Sequence, residues 1–337
     1  MGSDDSTAAA TGLVADFDLA PWNTMGLASR AAFGAVATSV EQLVALAGQA
    51  RAQGLPFHVV GQGSNLLLRP RIEGVVAVMA TRGISVDDSA PDTILVTAQA
   101  GESWSELVER TVSQGMPGLE NLAGIPGTVG AAPVQNIGAY GLELADRFHS
   151  LRAWDLAEQR IRRFDGPDCG FVYRNSVFKQ AAGRYVVLDV TLALPRQWTP
   201  VLGYAGLREL PPDSDAPTIM RHVLAIRASK LPDWRQQGNA GSFFHNPVVT
   251  PSVADAIEGG PRFPHPDGVK LSAAWLIDAC GFKGHVLGNA GVSDRHALVL
   301  VNRGGATYAE IAQLAATIRE AVLARFGVTL TQEPLEF

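Results

Sequence analysis

The stretch Phe57-His58-Val59-Val60-Gly61-Gln62-Gly63-Ser64-Asn65-Leu66-Leu67-Leu68 decides the fold class. The apolar run Phe57 to Val60 reads as a strand and runs directly into a turn with two glycines. Glycines let a main chain approach a ligand closely, and successive amides can cradle a phosphate. A dinucleotide-binding Rossmann turn needs a third glycine, at position 66, and a helix behind it. Position 66 is Leu, and Leu66-Leu67-Leu68 reads as another strand, so that fingerprint fails. Taken alone, the segment is equally well explained by a hairpin turn.

Upstream, Ser39 and Gln42 form a capping-box pattern ahead of Leu43, Leu46, Ala47 and Ala50, and Gly54 closes the helix they define. Downstream, Val75 to Met79 and Thr93 to Ala100 read as strands, and Ser103 with Glu106 starts a helix that ends at Gly115. From 115 to 141 the chain turns rich in Gly, Pro and Asn, a length of loop that in a compact domain is functional or disordered. Its many small apolar residues argue against disorder. Strands follow at 148–156 and 185–194, then a junction at Lys230-Leu231-Pro232-Asp233-Trp234. Ser272 to Cys280 reads as a short helix, Ala297 to Asn302 as a strand, and Thr307 with Glu310 caps a long helix closed by Gly327. Val328 to Phe337 is a last strand or tail. Strands and helices that do not alternate strictly indicate α+β.

Three further segments carry candidate chemistry. Gly118-Leu119-Glu120-Asn121-Leu122-Ala123-Gly124-Ile125-Pro126-Gly127-Thr128-Val129-Gly130, continuing to Gln135-Asn136-Ile137-Gly138-Ala139-Tyr140-Gly141, offers glycines for close approach and amides for a planar heterocycle. Tyr173-Arg174 offers a phenol and a fixed positive charge suited to carboxylate or phosphate. Gly238-Asn239-Ala240-Gly241-Ser242-Phe243-Phe244-His245-Asn246-Pro247 sets one hydroxyl in a tight, apolar turn, where it could donate a proton. Gly-x-Ser-x-Gly is absent, which argues against a hydrolase elbow. His245, His265, His285 and His296 show no metal-ligand spacing, and no metal is expected.

The chain of 337 residues suggests two or three domains, and its net charge of -6 argues against general affinity for nucleic acid or anionic membrane. Cys169 and Cys280 are too few for a disulfide framework and are expected as buried thiols in a reducing compartment. Residues 1–16 read as a flexible tail without the basic and apolar regions of a signal peptide, and no stretch is long and apolar enough to span a bilayer. The expectation is therefore a cytoplasmic protein.

In order and spacing, GQGSN, AGIPGTVGAAPVQNIGAYG, YRNSVFK, KLPD, GNAGSFFHNP, KLSAAWLIDACGFKG and a glutamate near the end resemble the UDP-N-acetylenolpyruvoylglucosamine reductase (UDP-N-acetylmuramate dehydrogenase) family over about residues 20–337. Leu202-Gly203-Tyr204-Ala205-Gly206-Leu207 is similar to the tyrosine loop of its type I form. The resemblance implies three domains. Two form a vanillyl-alcohol-oxidase-type (PCMH-type) FAD-binding fold, 17–80 joined by 327–337 and then 81–229; the third is an α+β substrate-binding domain, 230–326. It implies FAD as cofactor, NADPH as co-substrate and UDP-N-acetylglucosamine enolpyruvate as substrate, with the chain working as a monomer.

It also implies residue roles. Arg174, Ser242 and Glu333 match the catalytic positions, Ser242 as the general acid. Gly61, Gln62, Gly63, Ser64, Asn65, Asn121, Gly124, Ile125, Gly127, Thr128, Gly130, Ala131, Gln135, Asn136, Gly138, Ala139 and Arg174 match the cofactor site. Tyr140, Tyr173, Tyr204, Lys230 and Asn246 match substrate contacts. The tail Thr331-Gln332-Glu333-Pro334-Leu335-Glu336 departs from the family pattern, leaving Glu336 as a rival to Glu333, and the nucleotide contacts near Arg295 and His296 are open. Two alternatives to a reductase are an oxidase of the same flavin fold and a non-catalytic flavin or nucleotide-sugar binder.

Overall fold

The computed structural model describes residues 12–337, which fall into two compact, discontinuous units. Unit 1 holds 31–62 and 73–227 together with the segment up to Phe17; unit 2 holds 18–30, 63–72 and 228–337. The break at 227/228 lies just ahead of the expected junction at 230–234, whereas the segments 18–30 and 63–72 join the last third of the chain. The three-way division at 80 and 229 is a different partition from these two units.

Two main sheets build unit 1. Strands Val14–Asp18, Arg30–Ala37, Arg71–Met79 and Phe57–Val60 form one, in that order, with Phe57–Val60 parallel to Arg71–Met79 in register Phe57↔Val75. The second is a five-stranded antiparallel sheet: Arg160–Asp165, Phe148–Asp155, Tyr185–Pro195, Thr93–Gln99 and Ile84–Asp87. Helix Trp104–Ser113 buries Trp104, Leu107, Val108 and Val112 in a core shared with Val96, Leu151, Val190 and Leu192. Helix Val40–Ala52 sets Leu43 and Leu46 against Ala35, Ala77 and Met79. Unit 2 packs helices Ala273–Ala279 and Tyr308–Phe326 with a four-stranded sheet, Asn239–Ser242, Val299–Asn302, Ala290–Val292 and Val286–Leu287, around Phe243, Phe244, Leu300, Leu314 and Ile318. A parallel bridge joins the tail to the segment after the first glycine turn, Leu335 opposite Leu66 and Glu336 opposite Leu67.

Three expectations need correction. Residues 1–11 of the expected tail lie outside the described residues, but its end does not stay loose: Val14–Asp18 is a strand. Phe17 explains this, because its ring lies so close to Gly34 that a Cβ there would overlap it. At the first helix Ser39 caps as expected, accepting from the Gln42 N–H at 3.1 Å, but the Gln42 carboxamide reaches past Ser39 to the Thr38 N–H at 2.9 Å. Of the two thiols, Cys169 is buried and Cys280 only partly so. The helix Ala216–Lys230 was not legible: its apolar residues Ala216, Ile219 and Val223 are too sparse to give a clean periodic stripe.

Candidate active site

In unit 1 the first glycine turn and the long loop are one construction. Gly127 donates its N–H to Gln62 Oε1 at 2.7 Å, and a Cβ at Gly61 would overlap the Thr128 side chain. Trp104 N–H bonds the Gly127 carbonyl at 3.1 Å, Val129 N–H the Glu102 carbonyl at 2.9 Å, and Gly130 N–H the Ala100 carbonyl at 2.9 Å. A Cβ at Gly130 would sit 2.6 Å from Ala100 Cβ. These glycines are therefore required by loop-on-loop packing.

Glu120, which the sequence reading passed over, opens this loop. It is fully buried, with no cationic partner among the described residues; Oε2 accepts from Gly118 N–H at 2.6 Å and Oε1 from Trp198 Nε1 at 2.9 Å. Both oxygens being satisfied, the carboxylate acts as an internal brace. Asn121 is also fully buried. Its Nδ2 donates to the carbonyls of Tyr140 and Val201, both at 2.8 Å, which fixes the amide's orientation and leaves Oδ1 without a partner among the described residues. Asn136, at φ 44°, spends its side chain on Glu143, Val172 and Ala145, so what it can offer a ligand is main chain.

Arg174 stands at φ 55°, stacks 5.4 Å over the Tyr173 ring and donates Nη2 to the Gly138 carbonyl at 2.9 Å. Left-handed backbone at an arginine is strained, and such strain gathers at functional sites. Tyr140, also left-handed at φ 51°, meets Tyr204 edge-on with centroids 5.1 Å apart. Burial raises the Tyr140 phenol above its ordinary value, with the Arg227 charge pulling it back. Burial lowers the Arg227 guanidinium, with Tyr140 opposing. Arg227 sits on the helix that escaped the sequence reading, and its isolated position there gave no motif.

Unit 2 contains Gly63, Ser64, Asn65, Lys230, Ser242, Asn246 and Glu333. Gly63, at φ 64°, packs so tightly on Trp22 and Asn23 that no side chain fits. Strand Asn239–Ser242 pairs with Val299–Asn302, but Asn239 faces Val301 while Ser242 faces Val299. Three steps on one strand against two on the other make a β-bulge, and Gly241, at φ 69°, takes it up. Asn239 Oδ1 accepts from the Gly241 N–H at 3.0 Å and holds the bulge. Among the described residues no hydrogen bond engages the Ser242 hydroxyl.

The next residues form a short ladder with the tail. Phe244 pairs with Gln332, Glu333 N–H bonds the Phe243 carbonyl at 2.9 Å, and His245 N–H bonds the Thr331 carbonyl at 2.9 Å. Ser242 and Glu333 are thus brought to the same end of one ladder, 91 residues apart in sequence. The Glu333 carboxylate is 13% exposed and lies 3.6 Å from His245 Nδ1. Glu336 is 41% exposed and tied to Arg69 at 2.9 Å and Tyr308 at 3.1 Å; Arg69 holds its carboxyl below the ordinary range. Asn246 Oδ1 accepts from Ala273 N–H at 2.9 Å, at the start of a helix. Burial lowers the His296 imidazole, and Lys230 and Lys283 add to the effect. A polar cleft of about 430 Å³ lies between Gln237, Ser293, Arg295 and Arg303, of a size suited to part of a nucleotide.

Residues 31–165 match the model of an FAD-binding domain, and 233–336 that of the C-terminal domain of UDP-N-acetylenolpyruvoylglucosamine reductase. The chain is therefore an FAD-binding oxidoreductase of α+β fold with a C-terminal domain. It is 48% identical to the UDP-N-acetylenolpyruvoylglucosamine reductase of Burkholderia cenocepacia (strain HI2424), over 99% of each chain. It is also 48% identical to that of Ralstonia nicotianae, over 95% of this chain and 97% of the other. The chain belongs to the UDP-N-acetylenolpyruvoylglucosamine reductase family. The crystal structure of such a reductase from Thermus caldophilus shares the fold, with a TM-score of 0.69, 24% identity and coverage of 96% of this chain and 98% of that one.

The residues present fit FAD. The orphaned Asn121 Oδ1 is a fully buried acceptor in the long loop that a ligand donor would satisfy.

Proposed function

We infer that this chain reduces the enolpyruvyl double bond of UDP-N-acetylglucosamine enolpyruvate to give UDP-N-acetylmuramate, with NADPH as reductant, in peptidoglycan precursor synthesis. The observation that carries this reading is the ladder 243–245/331–333, which bonds Glu333 to Phe243, the residue after Ser242, in a chain similar over its length to these reductases.

When bound, FAD supplies the two-electron chemistry, taking hydride from NADPH and returning it to the alkene. The chain's own residues do the rest. Hydride arriving at the terminal vinyl carbon drives negative charge into the substrate carboxylate, and Arg174 and Glu333 stabilise it there. Ser242 then gives its proton to the carbon beside the carboxylate. Its setting supports the role: a bulge presents the hydroxyl, and no other group of the described residues engages it. The burial of Glu333 and the engagement of Glu336 by Arg69 favour Glu333 as the catalytic carboxylate. Gly61, Gln62, Gly63, Ser64, Asn65 and the 121–139 positions, with Arg174, are proposed to hold FAD. Asn65, whose Nδ2 lies 3.4 Å from the Glu333 carbonyl, joins that set to the tail. Tyr140, Tyr173, Tyr204, Lys230 and Asn246 are proposed for the substrate. Unit 1 holds most of the two proposed FAD subdomains, while unit 2 holds the proposed substrate domain together with 18–30, 63–72 and the tail, which belong to the first FAD subdomain in that division. Among the described residues no helix is long and apolar enough to cross a membrane; action as a cytoplasmic monomer is proposed from the family resemblance alone.

The test is the visible spectrum of purified protein. NADPH should bleach the flavin bands and the enolpyruvyl sugar nucleotide should restore them faster than air does. Faster recovery with oxygen would mark an oxidase, and a yellow protein that binds UDP-sugar without consuming NADPH would be a binding protein.

A further inference from the structure

Two carboxylates three residues apart in the tail have partners of different chemistry. Glu336 pairs with an arginine, which carries a charge at every relevant pH and holds the carboxylate as an anion. Glu333 faces a histidine, with His245 Nδ1 3.6 Å from Glu333 Oε2 and the two side chains 20% and 13% exposed. That is ion-pair range, longer than a hydrogen bond.

The ladder makes this approach reproducible. With Phe244 opposite Gln332, His245 and Glu333 occupy diagonal positions on the same face, within reach of long side chains. The backbone of each is pinned across the ladder, His245 N–H to the Thr331 carbonyl and Glu333 N–H to the Phe243 carbonyl, both at 2.9 Å. Asn65 grips the tail from its other side, Nδ2 3.4 Å from the Glu333 carbonyl and its own carbonyl accepting from Leu335 N–H at 3.0 Å. The main chain at Glu333 is thereby held by hydrogen bonds on both sides. His245 stands beside its carboxyl.

We propose that His245 is a positioning residue for Glu333, orienting its carboxyl through Nδ1 for the reduction of the enolpyruvyl group. The inference rests on the reading of Glu333 as the catalytic carboxylate. It concerns the substrate half-reaction alone, since reduction of the flavin by NADPH makes no use of that carboxyl.

The experiment uses the full-length, flavin-loaded protein in rapid mixing, with NADPH reduction and reoxidation by UDP-N-acetylglucosamine enolpyruvate followed separately. A carboxyl released from its orienting contact should slow reoxidation on the order of 10- to 100-fold in His245→Leu, with NADPH reduction within about 2-fold of the parent. His245→Gln, which keeps a donor, should recover most of the loss. Should His245→Leu fail to retain flavin, His245→Asn replaces it, its shorter amide being out of reach of Glu333. Reoxidation at the parental rate in these variants overturns the proposal, as does equal loss in both half-reactions without recovery in His245→Gln. Glu333→Gln separates the two levels. A slow Glu333→Gln with an unaffected His245→Leu defeats only the role of His245, whereas a Glu333→Gln that reoxidises normally defeats the reading beneath it.

Discussion

Between residues 118 and 141 the polar side chains turn onto the protein itself: Glu120 braces Gly118 and Trp198, Asn121 spans Tyr140 and Val201, and Asn136 ties Glu143 to Ala145. Between 239 and 246 the inward work falls to Asn239, Asn246 and the main chain, while among the described residues nothing engages the Ser242 hydroxyl. The first region is a shape, maintained by groups that cannot be spared. The second is a frame that displays a few side chains. Substitutions should divide accordingly, those in the loop costing stability and flavin and those on the frame costing chemistry.

The largest expected effect breaks or upholds that division directly. Ser242→Ala should slow flavin reoxidation by the enolpyruvyl substrate by about 100- to 10,000-fold, the worth of a placed general acid. Flavin content, NADPH reduction and thermal midpoint should stay near the parent's; equal loss in both half-reactions would put Ser242 in the frame. Next, Gly61→Ala drives a methyl into Thr128 and should cost about 1–3 kcal/mol in denaturant unfolding, with weaker flavin retention. Gly61→Ala/Thr128→Ala should recover part of this, and a double variant as unstable as the single would show that strain at Gly61 lies elsewhere.

Much of this was legible in advance. Strand Phe57–Val60, the caps at Ser103 and Thr307, and the stop at Gly327 all rest on short-range chemistry that a sequence displays. So did the failure of the Rossmann fingerprint at Leu66, since that residue starts a strand. Glu120 was passed over because a buried carboxylate cannot be told from a surface one until Trp198, 78 residues on, is seen to reach it. Arg227 and the His245–Glu333 approach escaped for the same reason: each depends on residues that only folding brings together. The choice between Glu333 and Glu336 was open in the sequence because it turns on Arg69 and His245.

Smaller effects compare the units through their titrating groups. Burial lowers the imidazoles of His58 in unit 1 and His296 in unit 2. A group depressed in the folded state leaves stability intact above its unfolded value, about 6.5, and removes it as pH falls below that. The thermal midpoint should therefore drop on acidification from about pH 6.5, and His58→Gln and His296→Gln should each flatten the slope. An acid slope unchanged in both would show that neither histidine is neutralised by the fold. Smallest is a thiol difference. Burial pushes the Cys169 thiol up to about 12, and Cys169 is fully buried, whereas Cys280 is partly exposed. An alkylating reagent at neutral pH should leave Cys169 untouched until the protein is unfolded, with any native labelling confined to Cys280. Native modification of Cys169, read by peptide mass, would show that this part of unit 1 opens.

The extra residue at Gly241 is in effect a change of parity. Side chains along a strand alternate between two faces, so one added step hands every later residue the opposite face from the one an uninterrupted ladder would assign. Without that step, the place opposite Val299 now held by the Ser242 hydroxyl would fall to Gly241, which has no side chain. A hydroxyl and a bare main chain exchange places here through a single glycine, which decides what the strand displays by counting rather than by any contact of its own.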